Sequence, residues 1–285
     1  MTPVGVKFGG ELLEDPERLQ TVVRAMAAAA RHGHALVIVH GAGKEIDAAL
    51  KTAGIEKRQV DGLRITDDRT LDVVVAVLGT VNARLVAALA AAGVAAVGLT
   101  GADGGCGLAE PAPPHRTVDG RLIELGRVGI PSEQADPAVV KAAVENSFVP
   151  VIACIGIGTD GRLFNVNADT FASHLAALLG ATRLVIAGTT PGVLDDVGST
   201  VSVIEPEALD RLISSGTATA GMIAKLRACE QAIARGVGDV VIVDGRDGAA
   251  LEAAVIGAPP PNATRIAPAA GWQTAPPAAL PAGER

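Results

Sequence analysis

The sequence predicts an α/β fold built on one central, mainly parallel β-sheet with helices on both faces. Short continuous runs of apolar and β-branched residues recur along the chain, and stretches with helical spacing separate most of them. Strands buried on both faces read as unbroken apolar runs, and helical crossovers join parallel neighbours. Glycine-rich segments stand at the ends of several runs, where ligands of parallel sheets bind.

The strand runs are "PVGVKF" at 3–8, "ALVIVH" at 35–40, "VAAVGL" at 94–99, "PVIACIG" at 150–156, "RLVIAG" at 183–188 and "DVVIVDG" at 239–245. Helical spacing covers 15–32, 44–53, 68–92, 136–147, 169–180, 205–215 and 221–235. Two regions break the alternation. Residues 101–135 carry a Pro-rich turn and predict a hairpin-like excursion, and from Ala258 the chain becomes rich in Pro and Ala. There "NATRIA" predicts an edge strand, and 269–285 a poorly ordered tail. The "GIGTDGR" segment at 156–162 marks the expected boundary between a lobe over 1–160 and a lobe over 161–268.

At 285 residues, with 49% hydrophobic and only 2% aromatic residues, the core must be aliphatic and the chain is long enough for one large α/β unit or for two lobes sharing one sheet. A net charge of −7 argues against a general nucleic-acid or anionic-membrane surface. Gly and charged residues interrupt the apolar runs before they reach bilayer length, and Met1 leads almost directly into a strand. The expectation is a cytoplasmic protein with no leader and no membrane partner. Cys106, Cys154 and Cys229 lack metal-ligand spacing. They read as small buried or half-buried residues in a reducing compartment rather than as a catalytic thiol, and no protein-borne metal site is expected.

Lys7 is followed at once by Gly9 and Gly10. Glycine lets backbone amides face a ligand closely, so the pair reads either as an anion site or as a plain tight turn. "HGAGKE" at 40–45 follows a strand and opens a helix. A Walker A loop needs Gly where Ile38 stands and Ser or Thr where Glu45 stands, and a dinucleotide fingerprint needs Gly in place of Ile46. What remains is Gly41-Ala42-Gly43 before a helix N-terminus, an anion site made of backbone N–H groups. "GIGTDG" matches G-x-G-x-x-G as letters, but "RLFNVN" follows as a strand, which makes Asp160-Gly161 a hairpin turn. His40 reads as a structural imidazole.

Arg64 lies between Leu63 and Ile65, ahead of a helix that Thr66 or Asp67 caps. It is either a solvated residue or a guanidinium fork for a carboxylate. In "FNVNAD" at 164–169, Asn165 and Asn167 face one side of an extended segment. Asp169 heads the next helix, as its cap or as a site carboxylate. "GTATAGMIAK" at 216–225 is a Gly/Thr/Ala loop feeding a helix, with Lys225 set against the macrodipole. A transferring phosphoryl group would account for that lysine.

In order and spacing, "VKFGG", "VIVHGAG", "DGLRITD", "VGLTGADG", "FNVNAD", "PGVL" and "GMIAK" resemble the amino-acid-kinase family, and within it the acetylglutamate kinases, from the first strand to about Arg246. The resemblance implies a three-layer α/β/α sandwich whose N-terminal lobe binds an acyl-amino-acid and whose C-terminal lobe binds ATP. It implies phosphoryl transfer from MgATP to the γ-carboxylate of N-acetyl-L-glutamate in arginine biosynthesis, with Mg2+ carried mainly on the nucleotide phosphates. Carried onto this chain, Lys7 and Lys225 neutralise the transferring group, Asp169 holds both lysines, and Gly10 and Gly43 supply amides. Gly41, Ala42, Arg64, Asn165 and Asn167 fall on substrate-binding positions, and Gly9, Thr189, Thr219, Gly221 and Met222 on nucleotide-binding ones. Other relatives imply the alternatives: N-succinylglutamate or a carrier-protein-linked glutamate or aminoadipate as substrate, or a catalytically silent homologue with a sensor or partner role.

The chain departs from the family pattern in three places. Ala42 replaces the middle glycine of the usual "HGGG", "AGTTPGV" at 187–193 lacks the common Asp, and Ala220 replaces a polar residue or a second glycine. Arginine-inhibited relatives carry a helix ahead of the first strand. With only Met1 and Thr2 before Pro3, the resemblance implies a homodimer insensitive to arginine, its interface on the apolar helix within 68–92.

Overall fold

The structure, a computed structural model, describes residues 2–117, 120–195, 197–205, 208–209 and 220–267. Its centre is an eight-stranded sheet. The order is Val203–Ile204, Thr264–Ile266, Asp239–Asp244, Arg183–Gly188, Val4–Phe8, Leu36–His40, Val149–Ala153 and Ala96–Thr100. Every pairing is parallel except that of Asp239–Asp244 with Thr264–Ile266. All residues of Val4–Phe8 and Leu36–His40 are buried, as unbroken apolar runs in the middle of a covered sheet require. Full burial of side chains such as Phe8, Ile38 and Ile152 contributes about 1.5–3 kcal/mol each.

Helices form the outer layers. Pro16–Arg31 packs against Asp68–Ala91 and Gly248–Ile256, and Ala168–Leu178 packs against Ala220–Ala234. The strands preceding residue 160 fill one half of the sheet and those following it the other, meeting where Val4–Phe8 pairs with Arg183–Gly188 in register.

A second, four-stranded sheet runs in the order Ile155–Ile157, Leu163–Val166, Val128–Pro131, Ala109–Pro111. It contains the hairpin expected at Asp160-Gly161, where Gly161 has φ +79° and Gly158 N–H donates to the Arg162 carbonyl at 2.8 Å. The excursion over 101–135 also forms, with His115–Arg116 against Leu122–Ile123.

Three expectations are corrected. "PVIACIG" is not one strand, because the chain leaves the main sheet at Cys154 and enters the small one. The Cys154 carbonyl there accepts from Val166 N–H at 3.2 Å. "NATRIA" yields Thr264–Ile266, but this is not an edge strand: Val203–Ile204 lies outside it, and two residues give no readable period. Gly248–Ile256 is a helix absent from the sequence reading. Its apolar residues have no polar counterface to reveal a period, although Asp247 caps it and Gly257, at φ +105°, ends it. The helix expected over 205–215 lies largely outside the described residues, and the tail over 269–285 lies wholly outside them.

By length and composition Asp68–Ala91 is apolar enough to cross a membrane, a length the sequence reading did not allow any apolar run. In this fold it is a layer of the sandwich. Leu71, Val74, Leu78, Val81, Leu85 and Leu89 are buried, Asn82 Nδ2 donates to the Val151 carbonyl at 2.8 Å, and Arg84 grips Glu45 with both Nη atoms.

Candidate functional site

Two glycine turns meet at the carboxyl edge of the main sheet. After Val4–Phe8, Gly9 N–H donates to the Ala187 carbonyl at 3.0 Å and the chain enters the short 3-10 turn Gly10–Leu12. After Leu36–His40, Gly41 N–H donates to the Phe8 carbonyl at 3.2 Å and helix Gly43–Thr52 begins. Gly10 is fixed by close approach: a Cβ there would lie 2.7 Å from Ala42 Cα and 3.0 Å from Gly43 N, both backbone atoms of the other turn. Ala42 has φ −153°, a conformation open to L-residues, so the family's middle glycine is dispensable here. Neither turn has a capping side chain. Leu12 N–H donates to the Gly9 carbonyl at 3.1 Å, and no side chain competes for the N–H groups of Gly10 and Gly43, which suits them to an anion.

The turns border a cleft of about 260 Å³ lined by Lys7, Gly9, Gly10, Glu11, Gly41, Ala42, Gly43, Arg64, Asn165, Asn167 and Asp169, with Ile46, Leu63 and Leu78 among its apolar walls. Lys7 and Asp169 are 8% and 9% exposed and form an ion pair of 2.8 Å. Burial disfavours the Lys7 ammonium, but the Asp169 carboxylate outweighs it and holds the Lys7 pKa above its ordinary value. Asp169 is not the cap of its helix. Asn167 fills that role, its Oδ1 accepting from Asp169 N–H at 2.9 Å and Thr170 N–H at 3.1 Å, which leaves the Asp169 carboxylate for Lys7. Both asparagines line the same cleft, but the carboxamide oxygen of Asn167 serves the helix.

Lys225 stands in the second turn of Ala220–Ala234. Its Nζ reaches the end of the central strands, 3.6 Å from where a Cβ would stand on Gly188. Burial, and then repulsion from Lys7, pulls its pKa below the ordinary value. The two lysines thus converge from opposite halves of the sheet.

Arg64 enters from the side. Its side chain is 9% exposed, and Nη2 donates to Asp47 Oδ1 at 2.5 Å. Nη1 is buried with no hydrogen-bond partner among the described residues, which leaves a donor for a carboxylate ligand. Asn165 Nδ2 donates to Thr66 Oγ1 at 3.1 Å, and that hydroxyl donates to the Arg64 carbonyl at 3.0 Å. Asp67 caps the following helix, accepting from Thr70 N–H at 2.8 Å.

Two site residues escaped the sequence reading. Asp47 anchors both Arg64 and Lys57, the latter at 2.6 Å. Burial opposes its ionisation, but these hydrogen bonds prevail and hold its carboxyl below the usual range. A readable signal was its place one turn beyond the glycine loop. Glu11 directly follows Gly10, and its carboxylate lies against Gly9.

Other residues stand apart from the cleft. Thr189 follows the strand Arg183–Gly188, Gly221 is exposed near the start of its helix, and the Met222 side chain packs against the core. Thr219 lies outside the described residues. His40 is structural: Asn82 Nδ2 lies 3.1 Å from Nε2 and the Gly41 carbonyl 3.4 Å from Nδ1. Burial lowers its pKa to about 4. The three cysteines are free and buried, and burial pushes the thiols of Cys106 and Cys154 up to about 12. Among the described residues no group of three or more His, Cys, Asp or Glu is placed to hold a metal ion.

A model of the amino acid kinase family matches residues 4–244. Acetylglutamate kinases of Novosphingobium aromaticivorans and Halorhodospira halophila are 39% identical over 251 and 248 residues, covering 85% of this chain and 82% of each relative. Among solved structures, an N-acetylglutamate synthase of Neisseria gonorrhoeae complexed with coenzyme A and N-acetyl-glutamate superposes with a TM-score of 0.80 at 23% identity, over 94% of this chain and 60% of that one. The protein smu.665 of Streptococcus mutans gives 0.72 at 27% identity, over 85% and 94%. A Giardia carbamate kinase gives 0.66 at 15%, over 94% and 99%. The synthase and the carbamate kinase, at those identities, speak for the fold alone. The chain belongs to the amino acid kinase family.

Proposed function

We propose that this protein transfers the γ-phosphoryl group of MgATP to the γ-carboxylate of N-acetyl-L-glutamate, giving N-acetylglutamyl 5-phosphate and ADP. The relatives at 39% identity carry this activity in their names. The observation that carries the reading in the structure is the convergence of Lys7, paired with Asp169, and Lys225 beside two uncapped glycine turns.

In the reaction a γ-carboxylate oxygen forms a bond to the γ-phosphorus as the bond to the β–γ bridging oxygen breaks, and that electron pair leaves with ADP. The nucleophile is already anionic, so no general base is needed; positioning and electrostatics do the work. Lys7 and Lys225 meet the charge on the phosphoryl oxygens. Gly10 and Gly43 present backbone N–H groups to it, and Asp169 keeps Lys7 in place. Arg64 and Asn165 grip the α-carboxylate end of the substrate, with Gly41 and Ala42 shaping the loop beside it. Thr189, Thr219 and Gly221 fall to the nucleotide side. Bound to the nucleotide phosphates, Mg2+ supplies charge neutralisation. With two carboxylates and two ammonium groups here, the protein's donor set fits a metal that arrives on its nucleotide.

The residues before about 160 form the acyl-amino-acid lobe and those after it the nucleotide lobe, in a cytoplasmic homodimer. Half-exposed and exposed Val73, Val77, Ala83 and Ala87 on Asp68–Ala91 support an interface on that helix. An assay of ADP release with N-acetylglutamate, N-succinylglutamate, glutamate and aspartate tests the activity. Turnover is expected with N-acetylglutamate; its absence in folded protein would remove the reading.

A further inference from the structure

The Glu11 carboxylate shapes the phosphoryl end of the cleft. Its residue belongs to the turn Gly10–Leu12, and its side chain folds back over Gly9, whose missing Cβ leaves the space that both carboxylate oxygens occupy. Oε1 also lies 3.4 Å from where a Cβ would stand on Gly188, and Lys225 Nζ lies 3.6 Å from the same point. The carboxylate and the Lys225 ammonium thus face one gap across the strand ends. The Glu11 main-chain carbonyl accepts from Arg18 Nη1 at 3.2 Å. Among the described residues its carboxylate makes no hydrogen bond or close ion pair.

Among the described residues, the two ammonium groups Lys7 and Lys225 are matched here by the two carboxylates Asp169 and Glu11. A polyphosphate is attracted by an excess of positive charge. Here Asp169 already engages Lys7 at 2.8 Å, and Glu11 offsets the remaining lysine. A nucleotide that arrives with a divalent cation has two fewer negative charges to set against Glu11 than one that arrives bare. We propose that Glu11 makes the cleft select the metal-bound form of a nucleoside polyphosphate over the metal-free form. The inference rests on the phosphoryl-transfer reading of the cleft. Glu11 also acts on both lysines, favouring the charged form of each.

Calorimetric titration of ADP, once with excess Mg2+ and once in EDTA, tests this on the wild type, Glu11→Gln and Glu11→Ser. The wild type should prefer MgADP. In both variants that preference should shrink about tenfold, as expected when the cation's double charge is set against the single Glu11 charge at about 6 Å in a water-like dielectric. The change should come from tighter binding of metal-free ADP. A preference unchanged in both variants, or one reduced only by weaker MgADP binding, overturns the role of Glu11 while the kinase reading stands. A wild type that binds ADP under neither condition overturns both.

Discussion

Asp169→Asn is the sharpest single perturbation of the site. Asparagine keeps the shape of the side chain, and the Asn167 cap on the Asp169 amide uses only the backbone. The substitution therefore removes one charge and little else. Its partner Lys7 is 8% exposed and 2.8 Å away. Breaking a buried pair from one side typically costs about 3–5 kcal/mol, because the other charge stays buried and uncompensated. Urea denaturation at neutral pH should show a loss near the lower end of that range, since the side chains keep some contact with water.

The pH dependence follows with a definite sign. The folded-state pKa of Lys7 lies above the ordinary 10.5. Its contribution is therefore fully present below 10.5 and is lost as pH rises through the folded value. Without Asp169 burial is unopposed, so the Lys7 pKa falls and the alkaline limb of kcat moves to lower pH. The double variant Lys7→Met/Asp169→Asn should regain much of the lost stability, since no buried charge remains. A single variant within about 0.5 kcal/mol of wild type, with its alkaline limb in place, would refute the reasoning.

Three further outcomes are expected. Lys225→Ala should lower kcat roughly a hundredfold, about 3 kcal/mol of transition-state stabilisation, with a much smaller change in substrate affinity; an unchanged kcat in steady-state assays would remove Lys225 from the site. Arg64→Ala should raise KM for the acyl-amino-acid and leave KM for ATP nearly unchanged, because Arg64 lines the cleft and its Nη1 has no partner among the described residues; a rise in the ATP value instead would reverse the proposed lobe assignment. Acid should destabilise the fold through His40 and His174, whose pKa values burial lowers from 6.5 to about 4: their contribution is complete above 6.5 and is lost as pH falls towards 4, on the order of 3 kcal/mol for His40, and urea midpoints flat across that window would contradict it.

The main sheet was legible in the sequence because its strands are buried on both faces, so each apolar run stood out between helices. Gly248–Ile256 was not, because its exposed positions, such as Ala249 and Ile256, are as apolar as its buried ones, so it carries no amphipathic period. The site shows the same divide at the level of single residues. Lys7, Asp169 and Lys225 were readable because each sits against a glycine turn or a helix start, where its charge needs a reason. Glu11 was not, because a carboxylate in a first turn already has an ordinary explanation in the helix dipole, and the role of Asp47 depends on the packing that brings Arg64 to it. Only the register that sets Phe8 beside Ala187 brings Gly188 under the Glu11 carboxylate, and only helix packing brings Lys225 to the same place. Local sequence thus identified which groups bear charge in the cleft, whereas its net charge depends on contacts between residues nearly two hundred positions apart. That balance decides how a polyphosphate is received, and it is a property of the sheet order rather than of any one motif.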